Sequence, residues 1–177
     1  LQPDGKILLA GYAIGNSTNW NGVARLNADG SMDGTFQPGC DANSSVGAMV
    51  VQPDGKVICI GNNLYVNGTN RNGFLRLNAN GSVDGSFNPG SSNPAISFPT
   101  TAPGTIALQP DGKVLVAGGS YNYATGTSQA FVYRLLTNGE RDPLFNPGEA
   151  PDNAITSMVL LDGGDIAIGG DAVGADD

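Results

Sequence analysis

The chain contains no histidine, only two cysteines and one tryptophan, and eight Lys and Arg against sixteen Asp and Glu. Without histidine there is no Ser-His-Asp triad, no imidazole general base and no His-ligated zinc. The formal net charge of −8 argues against a nucleic-acid partner, because binding to a phosphate backbone rests on clustered cations. The apolar runs are too short to cross a bilayer, so no membrane insertion is expected, and no 3.6-residue periodicity of useful length marks a helical core. No Walker loop, dinucleotide fingerprint or metal-ligand cluster is present, and neither a cofactor nor a metal is expected. Two cysteines make no disulfide framework. Cys59, in an apolar run, reads as a small buried hydrophobe; Cys40 follows Pro38-Gly39 in a loop, and whether the two pair is left open.

What the chain has in abundance is turn chemistry: 27 Gly and 11 Pro among many Asn, Ser and Asp, as in short-stranded all-β proteins. The turns repeat. Gln52-Pro53-Asp54-Gly55-Lys56 joins two apolar runs, and Gln2-Pro3-Asp4-Gly5-Lys6 and Gln109-Pro110-Asp111-Gly112-Lys113 do the same. Pro presets φ and Gly supplies a positive φ, so each is a hairpin between β-branched runs. A looser copy, Leu161-Asp162-Gly163-Gly164-Asp165, loses the Lys and marks the last unit as the least regular. A second block runs from Arg25 through Asp29-Gly30 to Phe36-Gln37-Pro38-Gly39. It returns from Arg76 to Gly90 and, with Leu136-Thr137 as a departure, from Arg134 to Gly148. The first block recurs after 50 and 57 residues and the second after 51 and 58, a period with two hairpins per unit that predicts a propeller blade.

The expected fold is therefore all-β: a β-propeller of four-stranded antiparallel blades, present as an incomplete arc of about three blades plus a half. The units are residues 1–39 (strands B–D), 40–90, 91–148 and 149–177 (strands A–B). In the most complete unit, strands A to D are expected at 46–52, 56–62, 73–78 and 83–87. The chain lacks an initiator Met and begins inside a repeat, which predicts a processed or excerpted piece of something longer. An unclosed arc also leaves bare sheet edges, to be covered by further blades or other subunits. Antiparallel strands send A–B and C–D turns to one face of the disc, and these are uniform. B–C segments (12–21, 63–72, 120–129) and D–A segments (including 91–104) emerge on the other face and vary, as binding loops on a rigid scaffold do.

The two blocks resemble the delta-sixty repeat family, β-propeller modules found mostly in large bacterial surface or secreted proteins with no settled biochemical activity. The Pro-Asp-Gly-Lys turn is also similar to that of TolB-type propellers, but the Arg-to-Phe block is not. The resemblance covers nearly the whole chain and implies an extracellular or cell-surface bacterial location, or a place in a virion.

The recurring Arg25/Asp33, Arg76/Asp84 and Arg134/Asp142 pairs, eight residues apart, are expected to face each other across the C–D hairpin as structural ion pairs. Phe36, Phe87 and Phe145 are expected as plugs between blades. Asn27-x-Asp29-Gly30-x-x-Asp33 resembles half of a calcium loop, but Arg25 stands where the first carboxylate belongs. Trp20, Tyr12, Tyr65, Tyr121 and Tyr123 lie in or beside B–C connections among Asn, Ser, Thr and Gly, a setting that suits a sugar ring or a protein partner. Sequons at Asn16, Asn43, Asn67 and Asn80 are better explained by turn composition than by glycosylation. The acids supply no pair facing a cleft, since nearly all those before residue 149 sit in repeated hairpins; seven more lie from Glu149 onward. The expected function is a non-catalytic structural or recognition module of a larger surface, secreted or virion protein, binding protein or glycan through its variable loops. The alternatives are a glycan-binding adhesin module and part of a polysaccharide-active hydrolase completed by missing chain.

Overall fold

The computed structural model describes residues 1–11, 22–41, 44–62, 64–71, 73–87, 89, 103–122, 127–148 and 154–170, with side chains described for all of these but 62, 103, 120–122 and 127–129. These residues form antiparallel strands and no helix. The strands are β1 (Ile7–Ala10), β2 (Val23–Leu26), β3 (Ser45–Val51), β4 (Val57–Asn62), β5 (Tyr65–Val66), β6 (Thr69–Asn70), β7 (Phe74–Leu77), β8 (Pro103–Leu108), β9 (Val114–Asn122), β10 (Thr127–Leu135), β11 (Ile155–Leu160) and β12 (Ile166–Gly170). They assort into the sheets β1-β2, β3-β4-β7, β8-β9-β10 and β11-β12, with the small hairpin β5-β6 apart. The described residues form an arc of propeller blades, and among them no sheet closes on itself.

Both hairpin blocks use one turn chemistry. In the first, the Gln2 amide donates to the Lys6 carbonyl (2.8 Å) and the Gly5 amide to the Gln2 carbonyl (3.0 Å); in the second, Asn27 donates to Ser31 (2.8 Å) and Gly30 to Asn27 (3.0 Å). Each is a three-residue loop whose last position needs a positive φ, met by Gly5 at 81° and Gly30 at 86°. The Asp in the middle holds the exit, Asp4 and Asp29 each accepting the amide two residues on. In the fourth unit Leu161 and Asp165 keep the same closing bond at 2.9 Å although the Lys is gone.

Three features depart from the expected strand plan. The fourth strand contracts to a single bridge in each of the first three units, Leu26 with Met32, Leu77 with Val83 and Leu135 with Arg141, because the chain turns again at once at Asp33, Asp84 and Asp142. Within 120–129 the described residues are paired: Ser120, Tyr121 and Asn122 with Gln129, Ser128 and Thr127, extending β9 and β10 to nine residues each. And the segment 63–72 contains β5-β6, turned by Asn67 (φ 51°) and Gly68 (φ 71°). Both central residues at positive φ match the twist of a two-residue hairpin, for which Asn-Gly is the favoured pair.

The core lies between the sheets. Val57, Cys59, Leu75 and Leu77 face the first unit, meeting Leu8, Val23 and Phe36. Ile58, Ile60 and Phe74 face the third, meeting Val114, Val116, Phe131 and Leu135. The third and fourth share Ala117, Ala130, Val132 and Ile155. Alternation along β4 thus places one set of side chains on each neighbour, so the blade is buried on both faces. Cys40 and Cys59 enter the same cluster as thiols. Burial pushes the Cys40 thiol up to about 11 and Cys59 higher still.

The strand-B glycines let blades be this thin. A Cβ at Gly61 would collide with the Ser45 carbonyl oxygen and one at Gly170 with that of Ala154. Close approach of strand A, which bulges beside Gly47 and again beside Gly104, is what these positions require.

Candidate functional site

The A–B and C–D turns of the first three units lie side by side, the Cβ that Gly5, Gly55 and Gly112 lack falling 3.2–3.3 Å from Ala28, Ala79 and Thr137. This brings the Lys after one turn to the Asp after the other. Lys6 Nζ and Arg25 Nε both reach Asp33 Oδ2 at 2.8 Å. Lys56 and Arg76 reach Asp84 at 2.9 and 2.8 Å, and Lys113 and Arg134 reach Asp142 at 3.2 and 2.9 Å. The structure brings each of the three Arg/Asp pairs together, and adds a lysine that the pairwise reading of the sequence missed. Its signal was present: Lys occupies the first position after every Pro-Asp-Gly and disappears only at Asp165.

The second oxygen of each carboxylate is also engaged. Asp33 Oδ1 accepts from the Thr35 amide (3.0 Å) and hydroxyl (2.5 Å), Asp84 Oδ1 from those of Ser86 (3.0 and 2.6 Å), and Asp142 Oδ1 from the Leu144 amide (3.0 Å). Lys6, Thr35 and Arg25 hold Asp33 well below the usual carboxylate range. At Asp84 desolvation works hardest, in the opposite direction, and Ser86, Lys56 and Arg76 together outweigh it. At Asp142 the Leu144 amide leads, opposed by desolvation and helped by Lys113 and Arg134. Asp33 and Asp84 are thereby fixed as anions with both oxygens occupied by protein donors, an arrangement suited to holding a fold and not to exchanging protons with a substrate.

Each guanidinium does one further thing, and Arg25 and Arg76 do a second. Each lies over the Phe that closes its own block, 4.6 Å from the Phe36 centroid and 4.7 Å from those of Phe87 and Phe145. In Arg25 and Arg76 the Nη1 then crosses to the next unit: Arg25 donates to the Ala79 carbonyl (2.7 Å) and Arg76 to the Thr137 carbonyl (2.8 Å). The backbone follows the same path, the Gln37 and Gly39 amides donating to the Asn80 and Gly81 carbonyls at 3.0 and 3.1 Å. Sequence reasoning confined this Arg to its own hairpin. The inter-unit acceptors are main-chain carbonyls, which leave no residue signature.

At the opposite end of the units, Tyr65 is half-buried at the start of the β5-β6 hairpin, and Asn67–Asn70 are exposed. Asp41 ties this hairpin down: its carboxylate accepts the Asn67 and Gly68 amides at 2.9 and 2.7 Å, and its own amide donates to the Tyr65 carbonyl at 2.8 Å. Tyr121 belongs to β9, and its side chain lies outside the described residues, as do Tyr12, Trp20 and Tyr123. The D–A segment at 91–102 and the acids from 171 onward lie outside them as well. Of the sequons, Asn80 is spent on Ser82, whose amide and hydroxyl it accepts, and Asn67 forms the hairpin turn; Asn16 and Asn43 lie outside.

Residues 2–36, 52–87 and 109–145 match a family model described as a β-propeller domain of unknown function, DUF5122. No curated protein matches the chain. The three matched stretches each span one A–B turn, its Lys, and the Arg-to-Phe block, which are the residues joined by the Lys–Asp–Arg clusters.

Proposed function

Because the chain belongs to the DUF5122 β-propeller family, we propose that it is a non-catalytic structural and recognition module of a larger surface, secreted or virion protein. It binds a protein or a glycan through the face carrying its B–C and D–A connections. The observation that carries this reading is the division of labour between the two ends of the units. At the turn end, Asp33 and Asp84 have both carboxylate oxygens satisfied by Lys, Arg and hydroxyl donors, so that end is committed to cohesion. At the other end the units differ, one raising a separate hairpin with a half-exposed Tyr65 and another lengthening β9 and β10. A rigid frame with unlike projections is how folds commonly present binding loops. The motifs also support assigning the repeats to the delta-sixty type, and with it a bacterial extracellular setting.

Retention of the full chain on immobilised glycans and on surface-protein extracts tests this, with Tyr65→Ala and Trp20→Ala as variants. Loss of retention by about tenfold in either variant, at unchanged thermal stability, is expected. Retention indifferent to both substitutions would remove the loop face from consideration.

A further inference from the structure

We propose that Asn67 is a site of self-modification, at which the Gly68 amide nitrogen cyclises onto the Asn67 carboxamide, and that the Asp41 carboxylate sets the rate of this reaction by holding that amide.

The chain has Asn-Gly pairs beginning at Asn21, Asn67, Asn72, Asn80 and Asn138, and both residues are described at Asn67, Asn80 and Asn138. The last two lie in C–D turns, where both reacting groups are already engaged. Asn80 Oδ1 accepts from the Ser82 amide (3.0 Å) and hydroxyl (2.8 Å), and Asn138 Oδ1 from the Glu140 amide (3.0 Å). The Gly81 and Gly139 amides close their loops onto the Asn78 and Leu136 carbonyls at 2.8 and 2.9 Å. Asn67 differs at both groups. It is exposed, and among the described residues no hydrogen bond engages its carboxamide. A Cβ built on Gly68 would meet nothing within 4 Å, so the carboxamide and water both have room beside that residue.

The restraint at this pair is a carboxylate. The Gly68 amide donates to Asp41 Oδ2 at 2.7 Å and the Asn67 amide to Oδ1 at 2.9 Å. Attack on the carboxamide requires the Gly68 nitrogen to give up its proton, the same ionisation that base-catalysed amide exchange requires. An anion accepting that N–H opposes the ionisation, because the nitrogen would turn negative beside a negative oxygen, and it also fixes where the nitrogen points. The reaction therefore proceeds from the opened turn, and its rate follows the fraction of time for which the Asp41 bonds are broken. The β5-β6 ladder has two residue pairs, Tyr65 with Asn70 and Val66 with Thr69, so the unit that must open is small.

In the step itself the Gly68 nitrogen bonds to Asn67 Cγ, and the carboxamide nitrogen leaves as ammonia, carrying off the proton lost from Gly68. A cyclic imide remains. Water then adds to one of its carbonyls: breaking the Cγ–N bond gives aspartate, and breaking the bond from the Asn67 main-chain carbonyl gives isoaspartate, whose main chain runs through Cβ and Cγ. No electrons are transferred, and water is the co-reactant. The imide has no N–H to offer Asp41 Oδ2, and either acid sets a second carboxylate beside Asp41. Isoaspartate also lengthens a turn that fits two residues. Each product weakens the clamp, so one reaction at Asn67 releases the hairpin that carries Tyr65. At Asn80 the same conversion would be silent, because the first unit has Asp29 there and its carboxylate makes the same bonds to Ser31. The proposal is independent of what the loop face binds.

The test is incubation of the full chain in mildly alkaline buffer, with peptide mapping by mass spectrometry following aspartate and isoaspartate at Asn67, Asn80 and Asn138 separately. In the native chain modification is expected to be fastest at Asn67. Asp41→Ala should speed it there by about tenfold or more, for two hydrogen bonds to a charged acceptor, and leave the other two sites unchanged. Those sites also report whether the variant is folded, since an unfolded chain exposes all three pairs alike. Asp41→Asn, which keeps an acceptor oxygen without the charge, should fall between the native chain and Asp41→Ala. Native modification at Asn67 no faster than at Asn80 or Asn138 would overturn the site. An Asn67 rate unchanged by Asp41→Ala, or a rise shared equally by all three sites, would overturn the part given to Asp41. So would a slower rate in Asp41→Ala, the result if the carboxylate drew the proton from Gly68.

Discussion

At the scale of the residue, the protein's organising object is a carboxylate shared by two cations and held on its other oxygen by local donors, two at Asp33 and Asp84 and one at Asp142. The sign of its pH dependence follows from the depressed folded-state pKa of Asp33, Asp84 and Asp142. Such groups add stability above the unfolded carboxylate value of about 3.9, and that stability is lost as pH falls through the folded values. Acid denaturation should therefore begin below about pH 4 and be coupled to proton uptake, measurable as the pH slope of the urea midpoint. Asp84→Asn should flatten that slope and lower stability at neutral pH, since Lys56 and Arg76 lose their shared anion. The thiols carry the opposite sign. With Cys40 raised to about 11 and Cys59 above it, their contribution is complete below the unfolded thiol value of about 8.5 and is lost as pH rises through the folded values. Both should resist a thiol reagent in the native state at pH 8 and react on unfolding; rapid native labelling of Cys59 would contradict its place in the core.

At the scale of the element, the informative contrast is between turns that the residues announce and strands that they do not bound. Pro-Asp-Gly and Ala-Asp-Gly state their conformation locally, because only glycine takes φ near +80° to +90° without strain. The same logic was available at Asn67-Gly68, flanked by Tyr65-Val66 and Thr69-Asn70, and would have found β5-β6 inside what composition alone made a loop. The brevity of strand D had no such mark: Val83 to Phe87 alternates well enough, but Asp84 turns the chain and consumes the amide of Ser86. Removing the Asp41 clamp by Asp41→Ala should release β5-β6 while leaving the larger sheets in place. Amide exchange at Asn67 and Gly68 should quicken by about tenfold or more, for two hydrogen bonds to a charged acceptor. Gly61→Ala should cost about 1–3 kcal/mol in chemical denaturation, because a Cβ there meets the backbone of strand A and no side chain can yield.

At the scale of the whole molecule, each blade is stabilised chiefly by its neighbours, so stability should be distributed as in a nearest-neighbour array. Phe74→Ala, in the cluster between the second and third units, should cost about 3–5 kcal/mol. Arg76→Met should cost less but couple to it, since both act at that joint; a double-mutant cycle summing without interaction would mean that the joints do not act as units. The sequence by itself determined the β class, the repeat and its phase, the turn positions and the three Arg/Asp partnerships, because each is set within one hairpin by φ preference and eight-residue spacing. It did not determine the lysine's place in the cluster, the carbonyls of Ala79 and Thr137 as arginine acceptors, or the pairing of Ser120 with Gln129. Those depend on how one blade is seated on the next and on how far a ladder runs before it is cheaper to turn. Main-chain groups carry such contacts, and every residue type has them.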